Sequence, residues 1–233
     1  MASRPGAEQL ALAIEPAANT TALPRLRPRR PISGDAPFDD EDWFFEPWWP
    51  GAPALVYVED GRLRLAIEHL ADAGTSFAEL GPLAGQFASD RLILEATLLV
   101  LDDEGRPDGE LLRERLAYPE VRDGTPALVC SDLLHRGESS LLALPFAERR
   151  VRLASELRDG DQCVVSRGLR GEGTTLAEAV AAMGLTEIGA KLLAARYRPG
   201  TADEAWLRLP VHETPAAQTR PLLALLQRLP LEP

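Results

Sequence analysis

From residue 54 onward the apolar positions fall into short runs separated by turn residues. Residues 54–58 and 62–68 flank Glu59, Asp60 and Gly61. That spacing predicts a β-hairpin, because an Asp-Gly pair tolerates the positive φ of a two-residue turn. Residues 91–101 are almost wholly apolar and predict a buried strand, ending in the turn Asp103-Glu104-Gly105-Arg106-Pro107. Further strands are predicted at 127–134, 163–169, 187–193 and 206–211. Helical spacing marks 110–116, 145–157 and 175–183, and a broken helical pattern runs over 77–87. Thr175 and Glu178 have the spacing of a capping box. Strands and helices mixed after an opening hairpin, without regular alternation, predict an α+β fold rather than a parallel α/β one. No internal repeat is present.

Outside this region the pattern fades. Residues 1–35 are rich in Pro, Ala and Arg without apolar periodicity, which predicts a disordered tail. Arg25, Arg27, Arg29 and Arg30 form a basic cluster there, followed by Asp39, Asp40, Glu41 and Asp42. A solvated linker is the plainer reading of the cluster; an arm for nucleic acid or an acidic partner is the other. Residues 36–213 make up the predicted domain. In the C-terminal stretch 214–233, Leu222, Leu223, Leu225, Leu226 and Leu229 line one helical face, which either covers the chain's own domain or docks in a partner's groove.

Composition narrows the class. With 233 residues, 45% hydrophobic and 26% charged, the chain reads as a soluble protein with an ordinary core. No apolar run approaches the ~20 residues of a membrane helix, and no secretory signal is visible. The expectation is therefore a cytoplasmic protein without membrane contact. Cys130 and Cys163 lack metal-ligand spacing and predict reduced thiols; His69, His135 and His212 fall on separate elements, so no metal site is expected. A net charge of −11 argues against unaided DNA binding. Among 25 basic residues there is one lysine, Lys191. Arginine stays protonated and offers no lone pair for nucleophilic attack.

Glu46-Pro47-Trp48-Trp49-Pro50-Gly51 resembles a Glu-x-Lys-Trp-Asp-Gly run with its lysine and aspartate replaced by Trp48 and Pro50. The resemblance continues through Leu92 to Asp108, through Asp132-Leu133-Leu134 and Gly137, and through Leu144-Pro145-Phe146-Ala147-Glu148-Arg149-Arg150. It ends with Gly184-Leu185, Ala190-Lys191, Tyr197-Arg198-Pro199-Gly200 and Trp206-Leu207. In this order the motifs resemble the adenylation domain of ATP-dependent DNA ligases, most nearly the bacterial end-joining type, over roughly residues 31–211. The resemblance implies a nucleotidyltransferase fold of antiparallel sheets with flanking helices, and a chemistry in which a lysine attacks ATP with magnesium. It also implies that this chemistry has been dismantled. Trp48 stands at the nucleophile, Thr97 at the ribose-binding glutamate and Ser131 at the adenine-stacking aromatic. Thr186 replaces a metal-associated glutamate, although Glu187 adjoins it, and Glu95 lies two places before Thr97. Arg208 and Pro210 replace phosphate-binding lysines, and Glu68 an arginine. With about 20 residues after Val211, the oligonucleotide-binding domain of the family is not expected in this sequence.

These substitutions predict no catalytic residue, no metal site and no cofactor. They leave a vestigial pocket of Glu46, Trp48, Lys191 and Arg208, with the Trp48 indole largely buried in the space a nucleotide would take. The reading is a catalytically inactive ligase-like domain that serves as a binding or regulatory module in a repair context, with a protein partner and at most weak contact with DNA. Two alternatives stand beside it: a working or partner-assisted DNA ligase, and a remodelled nucleotide or nucleic-acid binding module.

Overall fold

The computed structural model describes residues 22–67, 73–74, 76–211, 221–226 and 228–231. In chain order the strands are β1 (Arg30–Ser33), β2 (Asp39–Pro47), β3 (Ala52–Glu59) and β4 (Arg62–Ile67), followed by a 3-10 helix over Ala78–Gln86. Then come β5 (Arg91–Leu101), α1 (Gly109–Ala117), β6 (Thr125–Arg136), β7 (Ser139–Ser140), α2 (Phe146–Glu156) and β8 (Cys163–Val165). The chain closes with β9 (Leu169–Glu172), α3 (Gly173–Ala182), β10 (Glu187–Leu192), β11 (Ala202–Pro210) and α4 (Leu222–Leu226).

Two sheets form. One has the order β1-β11-β10-β2-β9, the other β4-β3-β5-β6-β7, with β8 added alongside β6. The fold is α+β, as the sequence predicts. The sheets are mixed rather than antiparallel throughout, since β1 runs parallel to β11 and β8 parallel to β6. The Glu59–Arg62 hairpin closes through Asp60 at φ 51° and Gly61 at φ 71°, the backbone that the Asp-Gly pair permits.

β5 is the central strand, and its alternation builds both the core and the site. Leu92, Leu94, Ala96, Leu98 and Val100 point into a core with Val56, Phe77, Leu128 and Leu153. On the opposite face, Leu99 and Leu101 join a second core with Phe45, Trp49, Leu176, Ile188 and Leu209. Before them on that face lie Glu95 and Thr97, which line the cleft where β2, β5 and β6 meet. β6 is pinned against β5 with a register shift where Glu95 faces Asp132 and Ala96 faces Cys130, so Ser131 is the extra residue of a bulge beside the cleft.

Several expectations are corrected. The tail expected through residue 35 ends sooner: Leu23 is buried with Leu55, Tyr57 and Ile93, and β1 pairs with β11. Such long-range pairing leaves no local periodicity; residues 1–21 lie outside the described residues. The strand expected over 163–169 is two strands in different sheets, β8 and β9, joined across Gly168, where a Cβ would stand 1.9 Å from the Phe45 carbonyl oxygen. The Thr175–Glu178 capping box does not form, because the helix begins at Gly173 and Thr174 instead donates its N–H and hydroxyl to Asp39. At the C-terminus, Leu222, Leu225, Leu226 and Leu229 are buried in the second core, so the apolar stripe covers the chain's own domain. Glu68, His69 and His212 lie outside the described residues.

Candidate functional site

Antiparallel pairing of β10 with both neighbours assembles the site. Gly189 lies opposite Glu46 on β2 and Arg208 on β11; Lys191 lies opposite Phe44 and Trp206. The Trp48 ring lies over Gly189, 3.6 Å from where a Cβ would be, an ordinary van der Waals contact. Gly51 is required by a much closer approach: a Cβ there would meet the Leu98 carbonyl oxygen at 2.4 Å.

Lys191 is buried at the centre. Its Nζ lies 2.9 Å from Glu46 Oε1, 3.3 Å from Glu95 Oε2 and 3.0 Å from Ser131 Oγ, three partners for the three donors of an ammonium. The ammonium also lies 4.9 Å from the Trp206 ring and 5.3 Å from Phe146. Burial alone would lower its pKa, but the carboxylates of Glu46, Glu95 and Asp132 outweigh that and hold it above its ordinary value. Burial pushes the Glu95 carboxyl up, against the pull of Lys191. Its other oxygen accepts from the Tyr197 hydroxyl at 2.9 Å, and burial beside Glu95 pushes that phenol up so that it stays a donor.

Behind this cluster Asp132 takes a two-point ion pair from Arg149, at 2.8 and 2.7 Å. Arg150 stacks 3.9 Å from the Phe44 ring and donates to the Ser166 carbonyl; burial lowers its pKa to about 10, so it remains cationic at neutral pH. Three buried cations, Arg149, Arg150 and Lys191, thus stand among three buried carboxylates, Glu46, Glu95 and Asp132. The charges of the site are balanced from within.

The structure brings Glu46, Trp48 and Lys191 together and leaves Arg208 at the rim, where it pairs with Glu187 and lies 5.0 Å from the Trp48 ring. Trp48 departs from the expectation of deep burial. It is half-buried, 6.2 Å from Trp206 at an interplanar angle of 45°, and the buried indole is Trp49. Strand alternation explains the exchange: Trp48 continues the β2 ladder by donating to the Glu187 carbonyl, which turns its neighbour into the second core. Tyr197 and Trp206 belong to the site but carry no role in the sequence reading. The alternation that places Glu95 and Thr97 on one face of an otherwise apolar strand is the signal that points there.

The cavity among Glu46, Trp48, Trp49, Glu95, Thr97, Ser131 and Trp206 has a volume of ≈ 30 Å³. That is room for about one or two waters, whereas ligand pockets run to ~300–1,000 Å³. Two of the carboxylates beside the cavity, Glu46 and Glu95, are already engaged by Lys191.

No protein-family model matches the chain. It is 27% identical over 166 residues to the multifunctional non-homologous end joining DNA repair protein LigD of Mycobacterium tuberculosis, covering 71% of this chain and 21% of that protein. It is 30% identical over 172 residues to DNA ligase C1 of Mycolicibacterium smegmatis, covering 69% of this chain and 49% of that one. The chain therefore spans about a fifth of the length of the LigD protein. Among solved structures, a mycobacterial DNA ligase D complexed with ATP and MES superposes with a TM-score of 0.68 at 25% identity, covering 79% of this chain and 60% of that one. Sequence and fold agree: the chain is homologous to the adenylation domain of ATP-dependent DNA ligases of the LigD and ligase C type.

Proposed function

We propose that this protein is a ligase-like adenylation domain that does not transfer AMP and acts as a binding or regulatory module, in the end-joining repair context of its LigD relatives. The state of Lys191 carries the reading. It is the chain's one lysine, and its three N–H groups are committed to Glu46, Glu95 and Ser131. A nucleophilic amine must be neutral with a free lone pair, and the flanking carboxylates stabilise the charged form instead. Trp48 at the family's nucleophile position and the ≈ 30 Å³ cavity support the same conclusion.

Intact-mass spectrometry after incubation with ATP and magnesium or manganese tests it. The unmodified mass is expected. An adduct of one AMP, at Lys191 or elsewhere, would overturn the proposal in favour of a working or partner-assisted ligase.

One observation favours a second reading, a remodelled nucleotide-binding rim: Trp48 is only half-buried, with the Arg208 guanidinium against its ring. That reading requires millimolar ATP to raise the melting temperature and quench tryptophan emission; the first requires neither.

A further inference from the structure

The basic cluster near the N-terminus takes on a definite setting in the fold. Arg25 and Arg27 lie on the segment entering β1, and Arg196 and Arg198 on the connection between β10 and β11. These two segments are tied together. Gly200 donates its N–H to the Arg27 carbonyl at 3.2 Å, Arg30 donates to Thr201 at 3.0 Å, and the Arg29 N–H reaches the Tyr197 hydroxyl at 2.9 Å. The Arg27 side chain lies over Gly200, 3.4 Å from where a Cβ would be. All four arginines are exposed, and none has a carboxylate partner among the described residues.

Among the described residues most other arginines are paired, and the exposed exceptions Arg62, Arg158 and Arg228 stand singly on separate elements. Arg91 pairs with Glu59, Arg106 with Asp102, Arg115 with Glu79, Arg149 with Asp132 and Arg167 with Asp159. In a chain with 36 acidic and 25 basic residues, carboxylates are plentiful, yet these four arginines on two hydrogen-bonded segments have none among the described residues. We propose that this arginine surface docks an unstructured acidic segment of a protein partner, with forked guanidinium groups taking Asp and Glu carboxylates.

Two observations favour a peptide over single-stranded nucleic acid. Single-stranded nucleic acid is gripped by stacking bases on aromatic rings as well as by charge. The aromatics beneath this surface, Tyr57 and Tyr197, are buried, and the large exposed hydrophobics among the described residues are Tyr118, Val151 and Leu231, on other elements. The net charge of −11 also repels an extended polyanion more than a short peptide.

The inference gives a partner class to the binding role proposed above and rests on it. Its test is separate from the intact-mass measurement, so either can fail alone. A fluorescein-labelled octapeptide of alternating Asp and Glu is titrated with the full chain at low salt and read by fluorescence anisotropy. Saturable binding that weakens as salt is added is expected. The combined Arg25→Glu, Arg27→Glu, Arg196→Glu and Arg198→Glu variant should bind at least about tenfold more weakly, since exposed ion pairs are individually weak but four act together. Reversal at Arg158 and Arg228, exposed on other elements, should leave binding unchanged. If the fourfold variant melts early, the Arg196→Gln, Arg198→Gln pair gives the same reading at reduced size. Absence of saturable binding, equal weakening by the Arg158 and Arg228 reversals, or tighter binding of a single-stranded oligonucleotide through the same four arginines would overturn the proposal.

Discussion

The ammonium of Lys191 reaches Glu46, Glu95 and Ser131 together, and two of those partners are carboxylates buried away from water. Removing it leaves both acids without their nearest counter-charge, and breaking a buried pair from one side costs about 3–5 kcal/mol. Lys191→Met is expected to destabilise by that amount in urea unfolding. Adding Glu95→Gln should recover part of the loss, because one uncompensated charge then disappears; additive effects would mean the two side chains are not coupled. The pH dependence follows from Glu95. Its pKa in the folded protein lies above the ordinary 4.5, so the folded state holds the proton more tightly than the unfolded chain does. The contribution from Glu95 is fully present below its unfolded pKa and is lost as pH rises through the folded value. The stability of the wild type relative to the Glu95→Gln variant should therefore fall as pH is raised from about 4 to 7.5. The opposite trend would mean that Lys191, not burial, dominates the carboxyl.

At the scale of elements, the end of β2 decides which tryptophan the fold depends on. Trp49 joins the second core, while Trp48 stays at the rim between Trp206 and Arg208. Truncating a packed aromatic costs about 3–5 kcal/mol, so Trp49→Ala should lose that much stability and Trp48→Ala clearly less. Equal losses in parallel urea titrations would contradict the assigned alternation. The sequence reveals elements whose signal is local. The Asp60-Gly61 turn and the apolar run of β5 are both read directly, and β5 begins and ends where its pattern predicts. Elements fixed by distant partners are not legible in this way. β1 is made by β11, and the split between β8 and β9 depends on Gly168 passing the Phe45 backbone. The N-terminus of α3 is set by Asp39 more than a hundred residues before it. The site shows the same division. Glu46, Trp48 and Lys191 are recognisable from motif positions, but the ion cluster with Tyr197, Arg149 and Arg150 exists only once two sheets meet.

Across the whole molecule, the cleft between the sheets is closed by many small commitments rather than by Trp48 alone. Thr97 and Ser131 line a cavity of ≈ 30 Å³, Lys191 is held by Glu46 and Glu95, and Arg208 is paired with Glu187 beside the Trp48 ring. Among the described residues no helix is long and apolar enough to cross a membrane. Restoring a lysine by Trp48→Lys would place a third cation near Lys191 and Arg208 without opening space for a nucleotide. On the proposed reading it would also leave Thr97, Ser131, Thr186 and Pro210 at the positions that the motif resemblance assigns to ribose, base, metal and phosphate. Groups that act as a unit in catalysis contribute non-additively, so returning one member recovers little. Trp48→Lys is therefore expected to give neither a labelled adduct with radioactive ATP nor sealing of nicked DNA. Measurable sealing by that single variant would show that the two sheets part readily enough to admit ATP, and that the closed cluster around Lys191 is one of two states of the cleft rather than its fixed form.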